Sequence, residues 1–297
     1  MSVMSPPLQV LGTVAEIRPV GDYHHLTLVA PGISEQVRPG HFVALSVGGA
    51  QSSMLLRRSF SVYRTRPSGP HGGTVEIVFA VAGKGTAWLA GVRPGDRVDV
   101  VGPLGRPFQV AERAGTAVLV AGGYGSAPMF ALADAITGTG GSAHLILGAA
   151  TASRLFGVVE ARRRGGAVVV TTDDGSAGVR GRVTDVLDEL LDRSSADIVY
   201  ACGPMPMLRA VAAVAARRGL PSQCAVEESM ACGIGVCMTC VLPVRGTDGV
   251  TRMVRACTEG PVFDGAAVRW DDVGTVPPDT LGAPATALTV GGPETTT

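Results

Sequence analysis

The chain has 297 residues, 46% of them hydrophobic, and its 25 Lys and Arg residues are balanced by 25 Asp and Glu residues. This length allows two or three domains with separate cores, so disulfides are not needed for stability. The balanced charge argues against nucleic acid or an anionic membrane surface as the partner.

The N-terminal segment does not resemble a targeting signal. MSVMSPPLQVLGTVAEI lacks the basic start and the continuous apolar core of a secretory signal, and no apolar run reaches the roughly 18 residues of a membrane helix. We therefore expect a cytoplasmic, reducing location, where clustered cysteines are more often metal ligands or redox groups than disulfides.

Residues 8 to 101 alternate short β-rich runs with Gly and Pro turns, as in HFVALSV and GTVEIVFAVAG. This pattern predicts a small antiparallel barrel, which we assign to residues 1–110, with one helix in GKGTAWLAGV. RRSFS carries Arg58 and Ser61, and GKGT is a turn that opens the helix; an arginine fork and a helix start are both phosphate-binding devices. On their own, the simpler interpretations are slightly favoured, namely a solvated surface charge for Arg58 and an N-cap for Thr86.

After GPLGRPF the pattern changes to buried strands that alternate with amphipathic helices, from TAVLVAGG and APMFALADAIT to DIVYACGP and MPMLRAVAAVAARRG. Such alternation predicts a doubly wound parallel sheet, which we assign to residues 111–220. RLFGVVEARRRG is one of the helices predicted between these strands.

The first turn of this predicted sheet, in VLVAGGYGSAPMF, is rich in glycine and leads directly into a helix. The turn contains Gly122, Gly123 and Gly125, and Pro128 stands near the first helical turn, where its missing N–H costs little. The third glycine of the dinucleotide fingerprint is absent, and glycines are also common wherever a chain turns tightly. Because ACGPMPM follows a later strand, and ligands bind at the carboxyl ends of parallel strands, we expect a nicotinamide nucleotide here.

Four cysteines form the most specific motif of the chain. Cys232, Cys237, Cys240 and Cys257 give a C-x4-C-x2-C-x16-C array, the plant-type spacing for a [2Fe–2S] cluster. Gly233 and Gly235 lie between the first two ligands, where the backbone has to bend around the sulfurs. A structural zinc ion remains the minority alternative, because zinc sites usually have two C-x2-C pairs or Cys and His mixtures. Cys224 is interpreted as a buried apolar residue.

The array belongs to a third predicted unit, residues 221–273, with short strands in VLPV, MVRAC and AVRW. The remaining residues, 274–297, contain Pro, Gly and Thr without periodicity and are predicted to be a disordered tail. The predicted fold class is thus a multi-domain α+β chain with a barrel, a doubly wound domain and a small cluster domain.

Read in chain order, RRSFS, GKGT, GGYGSAPM, DDGSAGVRG, CGPMPML and EESMACGIGVCMTC resemble the electron-transfer subunits of the NAD-linked, class 1B dihydroorotate dehydrogenases, which are ferredoxin-reductase-like flavoproteins. The resemblance covers residues 8 to 270. It implies FAD in the barrel, NAD(H) in the doubly wound domain and the [2Fe–2S] cluster in the C-terminal unit.

The resemblance also implies roles for individual residues. Arg58 would hold the FAD pyrophosphate, Ser61 would lie near the flavin N5, and Cys202 would face flavin and nicotinamide, although core packing explains Cys202 equally well. Ser59 departs from the family, which commonly has proline at that position. The remaining residues implied in FAD or NAD(H) binding are Phe60, Val78, Phe79, Ala80, Gly85, Thr86, Gly203 and Pro204.

These features lead to the hypothesis of a relay, in which NADH reduces FAD by hydride transfer and electrons then pass singly to the cluster and to a partner. In this family the partner is the FMN-containing catalytic subunit, and two copies of each subunit form a heterotetramer. Asp173 and Asp174 either contact a nucleotide ribose or cap a turn, the second being favoured. The absence of a basic cluster for a 2′-phosphate favours NAD over NADP.

Two alternatives remain open from the sequence. One is a reductase of the same fold that serves another acceptor, such as an oxygenase, a sulfite or sulfide enzyme, or a hydrogenase. The other is a non-redox binding module in which the cysteines hold zinc.

Overall fold

Residues 6–49, 52–67, 72–112 and 115–283 are described by the structure, a computed structural model. The first part is a closed antiparallel barrel with strand order β1-β2-β5-β4-β3-β6, and one helix, α1 (Lys84–Ala90), precedes its last strand. The barrel strands are β1 (Leu8–Val20), β2 (Tyr23–Val29), β3 (Phe42–Leu45), β4 (Arg58–Arg66), β5 (Thr74–Phe79) and β6 (Arg97–Leu104).

Alternation of side chains along the strands fills the barrel interior. Leu26 and Leu28 on β2 are fully buried, and they pair in register with Ile77 and Val75 on β5, which are fully buried too. Because successive side chains of a strand point to opposite faces, these positions turn one apolar face inward along both strands. The antiparallel barrel predicted from the sequence is confirmed.

The second part is a seven-stranded sheet with strand order β10-β9-β8-β7-β11-β12-β15, parallel except for β15 at its edge. Its first strand in the chain, β7, lies between β8 and β11, so the strand order reverses there. The elements are β7 (Thr116–Gly122), α2 (Ala127–Gly138), β8 (Ser142–Ala149), α3 (Val158–Arg162), β9 (Val168–Thr172), β10 (Val179–Arg180), α4 (Val183–Ser194), β11 (Ile198–Cys202), α5 (Met205–Arg217), β12 (Ser222–Ala225) and β15 (Val262–Asp264).

Helices cover both faces of this sheet. Leu119 of β7 packs in one apolar cluster with Met129 of α2, whereas Val118 of the same strand packs in another with Leu187 of α4 and Leu208 of α5. A central strand buried on both faces reads as a continuous apolar run, which explains TAVLVAGG. The predicted doubly wound sheet is confirmed.

One predicted helix is shorter than its sequence pattern. The pattern in RLFGVVEARRRG extends from 154 to 165, but α3 covers only Val158–Arg162. Gly157 has φ +75° and packs against the ring of Phe130, where a Cβ would lie 2.2 Å from Cζ. The helix therefore cannot begin before Gly157, because a left-handed residue ends regular helical geometry.

The C-terminal segment contributes to the sheet and also forms a hairpin. The hairpin consists of β13 (Val241–Arg245) and β14 (Thr251–Arg255), while β12 and β15 extend the parallel sheet beyond residue 220. AVRW is not a strand: apart from an isolated bridge at Val268, it leads into a short 3-10 helix.

Part of the predicted tail is packed. Residues 274–283 lie along the hairpin, where the Leu281 N–H donates to the Thr251 carbonyl at 2.8 Å and Thr280 is buried. The disordered tail predicted from residue 274 is thus wrong for residues 274–283, and residues 284–297 lie outside the described residues. Within the described ranges, no helix combines the length and apolarity needed to cross a membrane.

Candidate functional site

A cavity of about 860 Å³ lies between the barrel and the carboxyl-terminal edge of the parallel sheet. This volume is within the range of sites for small ligands and cofactors. All predicted binding residues except Gly85 and Pro128 line the cavity, namely Arg58, Ser59, Phe60, Ser61, Val78, Phe79, Ala80, Thr86, Gly122, Gly123, Gly125, Cys202, Gly203 and Pro204.

The two exceptions lie directly behind this lining. Gly85 sits against Arg58: a Cβ on Gly85 would approach the Arg58 Nε to 2.8 Å, so the arginine can hold its position only because residue 85 has no side chain. Pro128 is buried in the first turn of α2, where its missing N–H leaves no hydrogen bond unmade.

The barrel side of the cavity presents donors for an anionic group. The Arg58 Nη1 donates to the Leu56 carbonyl at 2.6 Å, and no carboxylate pairs with Arg58 among the described residues. The Thr86 hydroxyl accepts from the Gly83 N–H at 3.0 Å and donates to the carbonyl of the same residue. Gly83 is thus the N-cap residue of α1, and Thr86 is the third helical residue, which bonds back to it, so Thr86 is not itself the N-cap. The fork of Arg58 is the stronger anion-binding device of the two.

The sheet side of the cavity lies where the strand order reverses. The glycine turn after β7 packs directly against the end of β11, since a Cβ on Gly125 would lie 2.7 Å from the Cys202 carbonyl oxygen and 2.9 Å from the Gly203 Cα. Ligands of open α/β sheets bind in the crevice at such a reversal, next to the carboxyl ends of the strands. The predicted nucleotide site and the barrel site thus open into the same cavity.

Cys202 lies at the floor of the sheet side. Burial, reinforced by the charge of Glu227, raises the pKa of its thiol to about 12. A thiol whose pKa is raised in this way is a poor source of the thiolate nucleophile of covalent catalysis.

Tyr124 and Glu227 are cavity residues that the sequence analysis missed. The Tyr124 hydroxyl donates to the Glu227 carboxylate at 2.5 Å, across 103 positions of the chain. Burial, reinforced by this contact, raises the pKa of Tyr124. Two features of the sequence could have indicated these residues: Tyr124 stands inside the glycine turn, and Glu227 belongs to the acidic pair in EES before the cysteines. Asp173 also lines the cavity.

The cysteine loop, defined as residues 232–240, carries three of the four predicted ligands. Gly233 and Gly235 have φ +73° and +84°, values that L side chains rarely adopt, so glycine is required at both bends. The Thr239 hydroxyl donates to the Cys237 sulfur at 3.1 Å. This hydrogen bond is the main reason why the pKa of the Cys237 thiol is lowered to about 6. The loop therefore favours a thiolate at Cys237, the form that ligates metal.

The four thiols are neighbours that influence one another. Cys232 helps to lower the pKa of Cys237, whereas burial, followed by the neighbouring Cys240 and Cys232, raises the pKa of Cys257. In the described part of the chain, no three His, Cys, Asp or Glu side chains converge as a single metal ion would require. The preference for a [2Fe–2S] centre over a single zinc ion rests on the plant-type spacing of the four cysteines in the sequence.

The cysteine loop touches the wall of the cavity. The Cβ position of Gly233 lies 3.5 Å from the Ser59 Oγ and 3.6 Å from the Phe42 Cε2, and both of these residues line the cavity. The loop that carries three of the four cysteines therefore packs directly against the wall of the cavity at Ser59 and Phe42.

Comparisons with known proteins agree with this division. A family model described as the iron-sulfur cluster binding domain of dihydroorotate dehydrogenase B matches residues 227–269. A second model, the oxidoreductase NAD-binding domain, matches residues 119–213.

The chain is similar over most of its length to curated bacterial proteins. It is 40% identical over 242 residues to the dihydroorotate dehydrogenase B (NAD(+)) electron transfer subunit of Geobacillus thermodenitrificans, with 81% of this chain and 90% of the relative covered. It is 33% identical to the electron transfer subunit homolog of Thermotoga maritima, with 88% of each chain covered.

Solved structures give the same fold. A chain of an NADH-dependent reduced ferredoxin-NADP oxidoreductase superposes with a TM-score of 0.77 at 31% identity, covering 89% of this chain and 91% of that one. A ferredoxin NADP+ reductase from Neisseria gonorrhoeae with bound FAD and NADP superposes at 0.58 and 15% identity over 72% of this chain and 92% of that one, which shows the shared fold alone.

Proposed function

The chain belongs to the family of dihydroorotate dehydrogenase B electron transfer subunits, and on this premise we propose that it carries electrons from NADH to the FMN of a dihydroorotate dehydrogenase catalytic subunit. The observation that carries the proposal is the contact between the cysteine loop and the cavity wall at Ser59 and Phe42. Through this contact, the cavity proposed for the two-electron donors would adjoin the cysteine loop proposed for the one-electron cluster, within one chain.

FAD fits the barrel side of the cavity. We assign its pyrophosphate to Arg58, whose fork is free of carboxylates among the described residues and is seated by Gly85. Gly85 and Thr86 would lie along the phosphates, and Ser61 would stand near the flavin N5. The ring would rest on Ser59 and Phe60 and on the strand wall of Val78, Phe79 and Ala80.

NAD(H) fits the sheet side of the same cavity. The glycine turn of Gly122, Gly123 and Gly125, followed by Pro128, would take the dinucleotide phosphates at the start of α2. Cys202, with Gly203 and Pro204, would hold the nicotinamide toward Ser61, and we assign Ser61 and Cys202 as the catalytic residues that touch the reacting rings. Asp173 would accept a hydrogen bond from the ribose, which favours NAD over NADP.

We assign Cys232, Cys237, Cys240 and Cys257 as the residues that would hold a [2Fe–2S] cluster. When bound, FAD accepts a hydride as an electron pair and releases electrons singly, and such a cluster carries one electron at a time. The protein's own residues would seat both ring systems in the shared cavity and would keep the cysteine loop against its flavin wall.

We further propose that two copies of this chain assemble with two copies of the catalytic subunit in the cytoplasm, in the pathway of pyrimidine biosynthesis. The six cysteines form no disulfide among the described residues, which is in keeping with a reducing compartment. The orotate site would then belong to the partner.

Replacement of one ligand tests the proposal. The Cys237→Ser variant is expected to keep NADH-to-dye activity at the flavin within about twofold, and to lose NADH-dependent turnover of orotate with the catalytic subunit. The Cys224→Ala variant, altered at a cysteine outside the array, is the matched control. Full orotate turnover by Cys237→Ser, or a colourless wild-type protein that contains zinc instead of iron and sulfide, would refute the proposal.

A second candidate is supported by a solved structure that is 31% identical to this chain. That structure is an NADH-dependent reduced ferredoxin-NADP oxidoreductase, so a chain of this fold can also serve an acceptor other than dihydroorotate dehydrogenase. Reconstitution decides between the two: NADH-dependent orotate turnover with a dihydroorotate dehydrogenase subunit supports the first, and turnover with another acceptor only supports the second.

A further inference from the structure

We infer that Arg255 is a positioning residue for the cysteine loop, and that it raises the reduction potential of the cluster which the proposed function places there. The inference rests on that proposed function for the presence of the cluster. The contacts that carry it lie in the protein itself, between β14 and the bend at Gly235.

Arg255 acts on one peptide unit, the one that joins Gly235 to Val236. The Arg255 Nη1 donates to the Gly235 carbonyl at 2.9 Å, and the Val236 N–H donates to the Cys232 sulfur at 3.4 Å. The C=O and N–H of a trans peptide point in opposite directions. A guanidinium that holds the carbonyl on one side therefore aims the N–H at the ligand sulfur on the other.

The arginine is itself fixed by a carboxylate. Its Nη2 and Nε donate to Glu259 at 2.6 and 3.2 Å, and the Glu259 carboxylate also accepts from the Thr258 hydroxyl. A two-pronged pair of this kind sets the direction of the guanidinium plane as well as its distance. Glu259 follows Cys257 by two positions, so the clamp ties the loop of the first two ligands to the segment of the fourth.

The loop has few other means of holding this bend. Ile234 and Val236 are 53% and 76% exposed and make little packing contribution. At Gly235 the backbone lies so close to Thr258 that a Cβ would be 2.7 Å from its Cγ2. Close approach requires glycine, and glycine has the greatest backbone freedom, so an external hydrogen bond is needed to restrict it.

Both effects of Arg255 favour the reduced state of a centre bound here. Hydrogen bonds to ligand sulfur and a positive charge near the thiolates lower the energy of added negative charge. The charge of Arg255 lies close enough to Cys240 and Cys257 to interact with both. The Glu259 carboxylate offsets part of the positive charge of Arg255. The hydrogen bond from the Val236 N–H to the Cys232 sulfur therefore accounts for part of the expected rise in potential.

The test is a redox titration of the purified holoprotein, followed by the spin signal of the reduced cluster, with iron and sulfide content measured in parallel. For Arg255→Gln we expect a more negative midpoint potential, equivalent to at least a threefold change in the ratio of reduced to oxidised cluster, or about 28 mV for one electron. Arg255→Lys keeps the charge but not the fork, and its potential is expected between those of Arg255→Gln and the wild type.

The matched control is Arg252→Gln on the same strand. Arg252 pairs with Asp248, also four residues away and also part-exposed, but does not touch the cysteine loop. Its potential should equal that of the wild type. An unchanged potential in Arg255→Gln with full iron content would overturn the inference. If Arg255→Gln loses its cluster, the Arg255→Lys variant decides, and an unchanged potential there would overturn the inference as well. A wild-type protein without iron and sulfide would instead refute the proposed function.

Discussion

His41 precedes β3, the strand beside which the cysteine loop packs, and its imidazole is 2% exposed. Its Nδ1 accepts from the Arg38 N–H at 3.0 Å, while its Nε2 is buried without a hydrogen-bond partner among the described residues. Burial, reinforced by the charge of Arg38, lowers the pKa of His41 to about 4. The folded protein therefore holds this imidazole neutral.

This burial predicts a loss of stability in mild acid. Below pH 6.5 the unfolded chain binds a proton that folded His41 refuses, so the free energy of unfolding falls as the pH drops from about 6.5 to about 4. The slope is at most about 1.4 kcal/mol per pH unit, and the total is about 3 kcal/mol. In the His41→Asn variant, whose amide oxygen can still accept from Arg38 N–H, this part of the pH dependence should vanish.

The measurement is the melting temperature of both proteins between pH 7.5 and pH 5, above the range in which most carboxylates titrate. The control is His144→Asn, which also removes an imidazole. His144 accepts a hydrogen bond from the Ala167 N–H but is only partly buried. Parallel curves for the wild type and His41→Asn would contradict the assignment.

At the scale of elements, the contact between the glycine turn and the end of β11 defines the sheet side of the cavity. Both segments approach through backbone atoms, with the Gly125 Cβ position 2.7 Å from the Cys202 carbonyl oxygen. Backbone cannot move aside as the end of a flexible side chain can, so any side chain at 125 has to separate the turn from β11.

We therefore expect Gly125→Ala to destabilise the protein by about 2 kcal/mol through overpacking and to raise the KM for NADH about tenfold. Gly138→Ala is the control, because a Cβ at the end of α2 meets no atom within 4 Å. Thermal unfolding and NADH-to-dye kinetics measure both effects. If Gly125→Ala and Gly138→Ala have the same stability and the same KM for NADH, the close approach at residue 125 does not contribute to NADH binding.

The elements also show what the sequence can predict. Local periodicity is sufficient for the barrel strands and for the parallel sheet, and fixed spacing is sufficient for the cysteine array, since both signals lie within short stretches of chain. The resemblance inferred from the motifs is confirmed by relatives at 40% identity. The position of each binding residue in FAD or NAD(H) recognition stays a prediction.

Contacts between distant segments were not predictable in this way. Tyr124 meets Glu227 across 103 positions, and Arg255 meets Gly235 across 20. No local pattern encodes such pairs, because each depends on how two elements are brought together by the fold. The shortened α3 has a similar origin, since the ring of Phe130 on α2 requires the glycine at residue 157.

At the scale of the whole molecule, one apolar core joins the three parts of the chain. Phe42 of the barrel, Val118 of the sheet and the ligands Cys240 and Cys257 belong to the same buried cluster. This cluster crosses the boundaries suggested by sequence texture, while the barrel interior keeps a separate apolar cluster around Leu26 and Ile77. The shared cluster ties Cys240 and Cys257 to the packing of both the barrel and the sheet.

The outer side of the cysteine loop exposes apolar side chains to solvent. Ile234, Val236 and Met238 are all more than half exposed in the described structure. Exposed apolar side chains around a redox centre suit contact with a partner protein, since electrons have to leave where the centre comes closest to the surface.

Val236, at 76% exposed, allows this surface to be tested. We expect Val236→Asp to weaken binding to the catalytic subunit by at least about tenfold, because a carboxylate would be buried in an apolar interface without a partner. Affinities are compared by titration at equal iron content, so that any loss of cluster is corrected. Val159→Asp, a change at a 64% exposed valine on α3, controls for the added charge and should bind as the wild type does. Equal affinity of both variants would mean that the partner docks away from the cysteine loop, and the route from NADH would then have to leave the molecule at another face.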